Sequence, residues 1–216
     1  MFDVNLDKFR IVDLSYEVAL GQTGERPFVG KRGLLADGAY KYDIVDTHSH
    51  VGTHVEFPAH FFDGGKDGTD YPLTAFMGRG VLLPITCTEH SLAIRPDVLE
   101  QTIGDILREG DIVVARNEGP HSEVQAQWPY FTPEAGGWLR DREIKMLVLG
   151  LELQLGKDIP DTRAFHDILM GSDVTFVEFP DHLDQLTKRT FFFMALPFKV
   201  KGLDGSWARA IAIEER

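Results

Sequence analysis

The sequence is poor in cysteine and lacks any concentrated positive charge. Its 216 residues include a single cysteine, Cys87, so no intrachain disulfide framework can form. Lysine and arginine number 22 against 34 aspartate and glutamate residues, and the formal net charge is −12. The basic residues cluster at most in pairs, whereas nucleic-acid binding needs a concentrated positive field. The composition therefore excludes a disulfide scaffold and argues against nucleic acid as a partner.

Long apolar runs are also missing from the sequence. No uncharged stretch approaches the roughly 20 residues that a membrane span requires, and the first ten residues lack the apolar core of a signal peptide. We therefore expect no membrane partner and, by default, a cytoplasmic location. Apolar segments are spread evenly without a repeat or linker, which predicts one domain over residues 1–216. A chain of this length buries a core without metal, so a bound metal would serve chemistry.

Strand-like segments outnumber helical ones along the chain. Short apolar or alternating runs predict strands over 9–18, 40–47, 80–86, 111–116, 144–151, 174–179, 191–200 and 207–214. Apolar residues at helical spacing and helix-start signals predict helices over 97–108, 133–142 and 162–170. Residues 19–39 are glycine-rich and predict an irregular surface loop or lid. The expected fold is α/β, with a mixed, partly antiparallel, barrel-like sheet and flanking helices.

Three of the eight histidines fall within the segment HVGTHVEFPAH, which begins at His50. His54 and Glu56 alternate and so share one face of an extended backbone, and Gly52 permits the bend that brings His50 to them. Two imidazoles and a carboxylate are a common ligand set for Zn²⁺, Mn²⁺ or Fe²⁺. His60 would be either a fourth ligand or a general acid and base. The alternative is that these histidines cap strands and bind backbone groups.

The same segment resembles the H-x-G-[TA]-H-x-D-x-P-x-H motif of the cyclase family of metal-dependent hydrolases, which includes bacterial kynurenine formamidases and isatin hydrolases. The resemblance extends along most of the chain. Other family motifs are matched by LSYE, FFDGGK, GDIVVAR and ALPFKVKGLDGS. The resemblance implies a single domain of the swivelling β/β/α type and a homo-oligomer, either a dimer or larger.

The resemblance also implies a second ligand segment. The family carries A-x-H near the end of a helix and a Glu twelve residues later on the next strand, which His166 and Glu178 match. Glu178 lies in the apolar run TFVEF, where a buried carboxylate needs a cation or a donor; the alternative is a Glu that faces solvent. The implied site holds one or two divalent ions per chain, Zn or Mn, through His50, His54, Glu56, His166 and Glu178.

The resemblance implies that these residues carry out hydrolysis of a small-molecule amide, formamide or cyclic amide, or of a lactone, by metal-activated water, and it suggests His60 as the proton carrier. A metal-dependent cyclase or dehydratase would use the same ligands, and a non-catalytic relative is the third alternative. Two positions depart from the family pattern. Glu56 stands where the family has Asp, which leaves open one metal, two metals or lost activity. Gly150-Leu151-Glu152 stands where hydrolase members often carry G-I-D-T.

The aromatic residues that would contact a substrate are less well defined. Kynurenine formamidases carry a Trp in the early loop, where this chain has Phe28 as the only aromatic residue between 19 and 30. Trp128 and Tyr130 are alternative candidates for a substrate pocket, although aromatic residues in loops often serve packing. The sequence also leaves open whether His121 approaches the site or stays at the surface.

Overall fold

The computed structural model describes residues 6–87 and 92–216, and strands and helices occur throughout that range. The strands are β1 (Phe9–Asp13), β2 (Phe28–Leu34), β3 (Tyr40–Thr47), β4 (His54–Glu56), β5 (Met77–Ile85), β6 (Ala93–Ile94), β7 (Ile112–Asn117), β8 (Tyr130–Phe131), β9 (Met146–Leu149), β10 (Thr175–Glu178), β11 (Thr190–Pro197) and β12 (Gly205–Glu215). The α-helices are α1 (Pro96–Ile103), α2 (Pro133–Asp141) and α3 (Ile159–Met170). Within the described ranges, no helix has the length and apolar character that crossing a bilayer requires.

The main sheet closes on itself. Its hydrogen-bonded order is β12-β11-β5-β7-β9-β10-β4, and β4 pairs again with β12. The strands from β5 through β7 and β9 to β10 are parallel, and the remaining neighbours are antiparallel. β1 pairs antiparallel with β12 outside this ring. The predicted mixed, partly antiparallel, barrel-like sheet is confirmed.

Alternate residues of the parallel strands face two different apolar clusters. On β7, Val113 packs in the cluster that contains Leu99 of α1 and Phe165 of α3. Val114 packs on the opposite face, in the cluster that contains Phe193 of β11. Because both faces are covered, β7 is a continuous apolar run in sequence rather than an alternating one. The helices therefore cover one face of the parallel strands, and antiparallel strands cover the other.

Local sequence signals located two elements accurately. β3 spans the predicted residues 40–47. The helix predicted over 133–142 is α2, and its predicted cap is present, because Oγ1 of Thr132 accepts a hydrogen bond from the N–H of Ala135 at 3.3 Å. Both signals are contained within a few neighbouring residues, so they do not depend on the rest of the fold.

The prediction of an irregular loop or lid over 19–39 is wrong where β2 forms. This strand pairs antiparallel with β3 in a hairpin separate from the main sheet. Gly30 and Gly33 conceal the strand, because glycine is depleted in strands and marks loops in sequence. A Cβ at Gly30 would lie 2.6 Å from Cδ1 of Leu20. The glycine therefore permits close packing inside a strand, which composition alone does not distinguish from a loop.

Candidate metal centre

The pairing of β4 with β10 brings ionisable side chains to one face of the sheet. In this antiparallel pair His54 lies opposite Glu178, and Glu56 lies opposite Phe176. Paired residues point to the same face, and Phe176 belongs to the cluster that packs against the helices. Its ring lies 5.1 Å from the ring of His166 on α3. His54, Glu56 and Glu178 therefore project from the face that α3 covers.

A left-handed turn at Gly52 places His50 beside β4. The φ angle of Gly52 is 62°, and a Cβ there would lie 2.4 Å from Cγ2 of Val18, so glycine alone fits without displacement. The carbonyl of Gly52 accepts a hydrogen bond from Nδ1 of His54 at 2.8 Å. The carbonyl of His50 accepts one from the Arg26 guanidinium at 2.7 Å. The turn thus leaves Nε2 of His54 as the nitrogen that faces the carboxylates.

His50 is buried between two carboxylates. Its Nδ1 donates to Oε1 of Glu56 at 2.7 Å, and its Nε2 donates to Oδ2 of Asp204 at 3.0 Å. Because both acceptors are carboxylates, each ring nitrogen carries a proton in this arrangement. Burial disfavours the charged ring, but the hydrogen bond and charge of Glu56, followed by those of Asp204, raise the pKa of His50. A cation held through His50 would therefore displace one of these protons.

Glu56 is the carboxylate that His50 and His54 share. Its Oε1 lies 3.3 Å from Nε2 of His54, whereas its buried Oε2 has no hydrogen-bond partner among the described residues. Burial disfavours the ionised carboxylate, but hydrogen bonds from His50 and His54 hold the pKa of Glu56 below its usual range. A buried, ionised carboxylate with one unpaired oxygen is suited to a bound cation.

Two groups of potential metal ligands meet at Glu56. One consists of His54, Glu56 and Glu178, and the other of His50, Glu56 and His60. Within each group the ligand atoms lie within 4.8 Å of one another. Imidazole and carboxylate are ligands that Zn²⁺ and Mn²⁺ accept, so the residues present fit a divalent cation. Membership of both groups makes Glu56 the residue that would contact two ions.

Glu178 shows most directly what a cation would contribute. Its Oε2 lies 4.0 Å from Nε2 of His54. Burial, and then the negative charge of Glu56, raise the pKa of Glu178 to about 8. In the metal-free protein, Glu178, the carboxylate beside the ionised Glu56, therefore keeps a proton near neutral pH. A divalent cation would favour the ionised form of both.

His166 lies beside these groups but belongs to neither of them. Its Nδ1 donates to the carbonyl of Thr162 at 2.6 Å, and its ring stacks on Phe61 at a centroid distance of 4.0 Å. Burial lowers the pKa of His166, which favours the neutral ring. With the proton on Nδ1, Nε2 keeps its lone pair, the arrangement that metal-ligating histidines commonly have.

Asp204 joins His50 to His60, and sequence reasoning missed it as a site residue. Its Oδ2 accepts hydrogen bonds from both rings, at 2.9 Å from Nδ1 of His60, and its Oδ1 accepts one from the Ser49 hydroxyl at 2.8 Å. Burial disfavours its charge, but the hydrogen bonds from His60, His50 and Ser49 hold the pKa of Asp204 below its usual range. Its position in the tail motif ALPFKVKGLDGS was the signal that could have identified it.

The second pairing of β4, with β12, places Asp204 at the site. Gly205 lies opposite Glu56 in this ladder, so the residue just before β12 comes next to the potential metal ligands. A Cβ at Gly205 would lie 3.0 Å from Nε2 of His50. The turn between β11 and β12, which carries Asp204, is also held by Asp67, because Oδ2 of Asp67 accepts a hydrogen bond from the N–H of Gly202 at 2.6 Å.

A cavity of about 470 Å³ opens on His166 and Glu178. Its apolar wall includes Trp128, Leu153 and Phe179, and it is large enough for a small organic molecule. The structure thus places Trp128, one of the three aromatic residues predicted to contact a substrate, on the wall of the cavity that adjoins the ligand groups.

The other two predicted aromatic residues have different surroundings. Tyr130 begins β8, pairs with Ala93 of β6 and forms a bridge to Gln154, a residue that lines the cavity. Phe28 begins β2 and packs edge-on against Trp207, with ring centroids 5.4 Å apart. Trp128 therefore lines the cavity. Tyr130 is bridged to Gln154, which lines it, and Phe28 lies against β12.

Replacing Gly52 by alanine is expected to destabilise the protein by about 2 to 4 kcal/mol, because a positive φ is combined with a clash against Val18. Gly38→Ala is the matched control, since Gly38 has φ 87° and no atom within 4 Å of an added Cβ. That variant should lose about 1 kcal/mol, from backbone strain alone. Urea unfolding of the metal-free proteins measures both losses. Equal losses would show that the contact with Val18 contributes nothing.

Comparison with protein families gives a match to the family model named Cyclase over residues 12–152. The matched part contains the segment from His50 to His60 and ends at Glu152. α3, β10 and the turn that carries Asp204 lie beyond it. The family match therefore covers His50, His54 and Glu56 but not His166 or Glu178, whose positions the structure alone describes.

Similar proteins are known both in sequence and in structure. A kynurenine formamidase of Erythrobacter litoralis (strain HTCC2594) is 24% identical over 175 residues, which cover 77% of this chain and 74% of that protein. Isatin hydrolase A from Labrenzia aggregata, solved bound to benzyl benzoate, superimposes with a TM-score of 0.73 at 23% identity, covering 97% of this chain and 95% of that one. Isatin hydrolase A from Ralstonia solanacearum gives 0.73 at 21% identity, covering 97% and 93%. The fold is therefore shared over nearly the whole chain.

Proposed function

The chain belongs to the cyclase family, and from this premise we propose that it is a metal-dependent hydrolase of an amide, formamide or cyclic amide bond in a small molecule. The proposal rests on one observation above all. Glu56 is shared by two groups of potential ligands and has a buried oxygen without a hydrogen-bond partner among the described residues. The similarity to a kynurenine formamidase and to two isatin hydrolases supports the choice of bond.

His54, Glu56 and Glu178 would hold one divalent ion, Zn²⁺ or Mn²⁺. His50 would extend the site from the other side of Glu56, and His166 would join it through Nε2. An ion bound here lowers the pKa of water towards neutrality and polarises a carbonyl oxygen. The proton on Glu178 and one proton on His50 would leave as the ion binds.

His60 would carry the proton to the leaving nitrogen or oxygen. Oδ2 of Asp204 accepts a hydrogen bond from Nδ1–H of His60, which leaves Nε2 as the ring nitrogen that can take up a proton. The ionised Asp204 carboxylate then stabilises the charged imidazolium, as in other carboxylate–histidine pairs. The His60 side chain is 33% exposed, which allows it to exchange protons with solvent. Asp204 acts here as a positioning residue.

The neighbouring cavity would hold the body of the substrate. Its apolar wall, with Trp128 and Phe179, suits an aromatic or aliphatic group, while His166 and Glu178 mark the end where the carbonyl would lie. The cavity and the ligand groups together favour a compact carbonyl compound over a polymer.

Removal of the metal should abolish turnover of three probe substrates: formanilide, isatin and dihydrocoumarin, which represent a formamide, a cyclic amide and a lactone. Reloading with Zn²⁺ or Mn²⁺ should restore the activity, and hydrolysis in ¹⁸O-labelled water should place one label in the carboxylate product. Mass spectrometry and metal analysis of the purified protein provide the readouts. Turnover by metal-free protein would contradict the proposal, and conversion of a probe to a product other than the labelled carboxylate would indicate the cyclase or dehydratase alternative instead.

A further inference from the structure

Glu152 is the acidic residue of the substrate cavity that lies outside the metal site. Among the described residues that line the cavity, it and Glu178 are the two carboxylates, and Glu178 belongs to the ligand groups. The wall around it is largely apolar, with Leu149, Leu153 and Trp128. A carboxylate in such a wall is a candidate for fixing the orientation of a substrate through one polar contact.

The backbone holds Glu152 at the edge of the sheet where the parallel strands end. β9 lies beside β10, with Leu149 opposite Glu178, and Glu152 follows three residues after Leu149. In α/β folds, both open sheets and closed barrels, ligands commonly bind at the carboxyl ends of the parallel strands. Gly150 packs tightly on β7, because its N–H donates to the carbonyl of Ala115 at 2.9 Å and a Cβ would lie 2.5 Å from that oxygen. Glu152 therefore follows a turn with little freedom to move.

The backbone of Glu152 is itself strained. Its φ angle is 60°, in the left-handed region that costs a non-glycine residue about 1 to 3 kcal/mol. A glycine at this position would avoid the strain, and asparagine or aspartate would reduce it. The chain nevertheless carries the longer carboxylate here; Glu143 has a similar φ of 53°, so the strain supports a role for Glu152 only together with its place in the cavity.

The partners of Glu152 orient its carboxylate without satisfying it. Nδ1 of His121 donates to Oε1, and the Asn117 amide lies 3.5 Å from Oε2, at the limit of a hydrogen bond. Both partners come from the end of β7 and the loop after it, and both line a smaller cavity that Glu152 borders as well, so Glu152 stands between the two cavities. The side chain of Glu152 is 19% exposed. Oε2 therefore keeps acceptor capacity in a partly desolvated place, where a charge-assisted hydrogen bond is strong.

We propose that Glu152 determines specificity by binding a protonated amine of the substrate. The preferred substrate would then have an apolar body, a carbonyl group at the metal site and an ammonium group that reaches Glu152. This inference rests on the proposed hydrolase function, because it takes the cavity to be the substrate cavity. The formal net charge of −12 would also attract such cations.

The test compares 4-(aminomethyl)aniline with 4-ethylaniline, which differ by an ammonium group in place of a methyl group. Calorimetry with the metal-loaded protein should give about tenfold tighter binding of the aminomethyl compound. Glu152→Gln should bind the two compounds about equally. Asp184→Asn is the matched control: Asp184 lines a smaller cavity that Glu152 also borders, but it does not line the cavity of His166 and Glu178, and its replacement changes the net charge equally. That variant should keep the preference.

A second variant, Glu152→Gly, keeps the test decisive if Glu152→Gln fails to fold. A separate turnover assay distinguishes failure of this inference from failure of the proposed function. Glu152→Gly removes the carboxylate and relieves the positive φ, so it should fold and also lose the preference. Equal binding by the unaltered protein, or a preference kept in either Glu152 variant, would overturn the role of Glu152. The N-formyl derivatives of both amines test hydrolysis separately: if neither is hydrolysed, formamide hydrolysis fails while the binding ratio still decides the role of Glu152.

Discussion

Glu56→Gln is expected to abolish metal binding and hydrolysis together. Glutamine keeps the size of the side chain but removes the charge from the one residue that belongs to both ligand groups. A metal ion supplies several kcal/mol of transition-state stabilisation, and each 1.4 kcal/mol corresponds to a factor of ten in rate, so kcat/KM should fall by about 10³ or more. Metal analysis per chain and steady-state kinetics measure the two losses. A variant that kept the full metal content of the unaltered protein would contradict the shared role of Glu56.

Glu56→Asp is the informative control, because it installs the residue that the family motif carries. The carboxylate would retreat by about one C–C bond, whereas metal–ligand distances are held to about 0.2 Å. Oε1 now lies 2.7 Å from Nδ1 of His50 and 3.3 Å from Nε2 of His54. We expect the shorter side chain to serve one ligand group and to lose the other, so metal content should fall without reaching zero. Full retention of metal and activity would show that the loop adjusts to either length.

The elements predicted well from sequence are those set by neighbouring residues. β3 alternates, and α2 has its capping threonine and its proline within two positions of each other. The strand predicted over 9–18 ends earlier, at Asp13, and Ser15 forms just an isolated bridge with Pro180. The apolar pattern continues past Asp13, but the pairing with β12 stops there. Strand ends depend on a distant partner, which local pattern does not contain.

The part of the site that could be predicted is likewise the part that neighbouring residues determine. Alternation correctly placed His54 and Glu56 on one face, and glycine chemistry anticipated the turn at Gly52. The family resemblance, not spacing, pointed to Glu178, since its position opposite His54 arises from pairing between residues 124 positions apart in the chain. The grouping of ligands around Glu56, and the link from Asp204, likewise depend on β4 pairing with two strands at once.

His60→Ala is expected to reduce kcat by about 10² to 10⁴ while KM changes little and at least one metal ion per chain remains. The reason is that the group of His54, Glu56 and Glu178 is complete without His60. Kinetics and metal analysis on the same preparation separate a proton carrier from a ligand, the two roles that the sequence leaves open. Added imidazole should restore part of the rate if His60 carries the proton. Loss of all bound metal would identify it as a ligand instead.

Asp204→Asn tests how His60 is positioned. The amide no longer stabilises a proton on Nδ1 of His60, so the ring can adopt the tautomer in which Nε2 is protonated and unable to accept a proton. We expect a kcat loss close to that of His60→Ala and an altered pH profile. Ser49→Ala removes a single hydrogen bond to Oδ1 of the same carboxylate and should cost about tenfold at most. If Asp204→Asn and Ser49→Ala had equal effects on kcat, the Asp204 carboxylate would stabilise the turn before β12 and would not position the proton on His60.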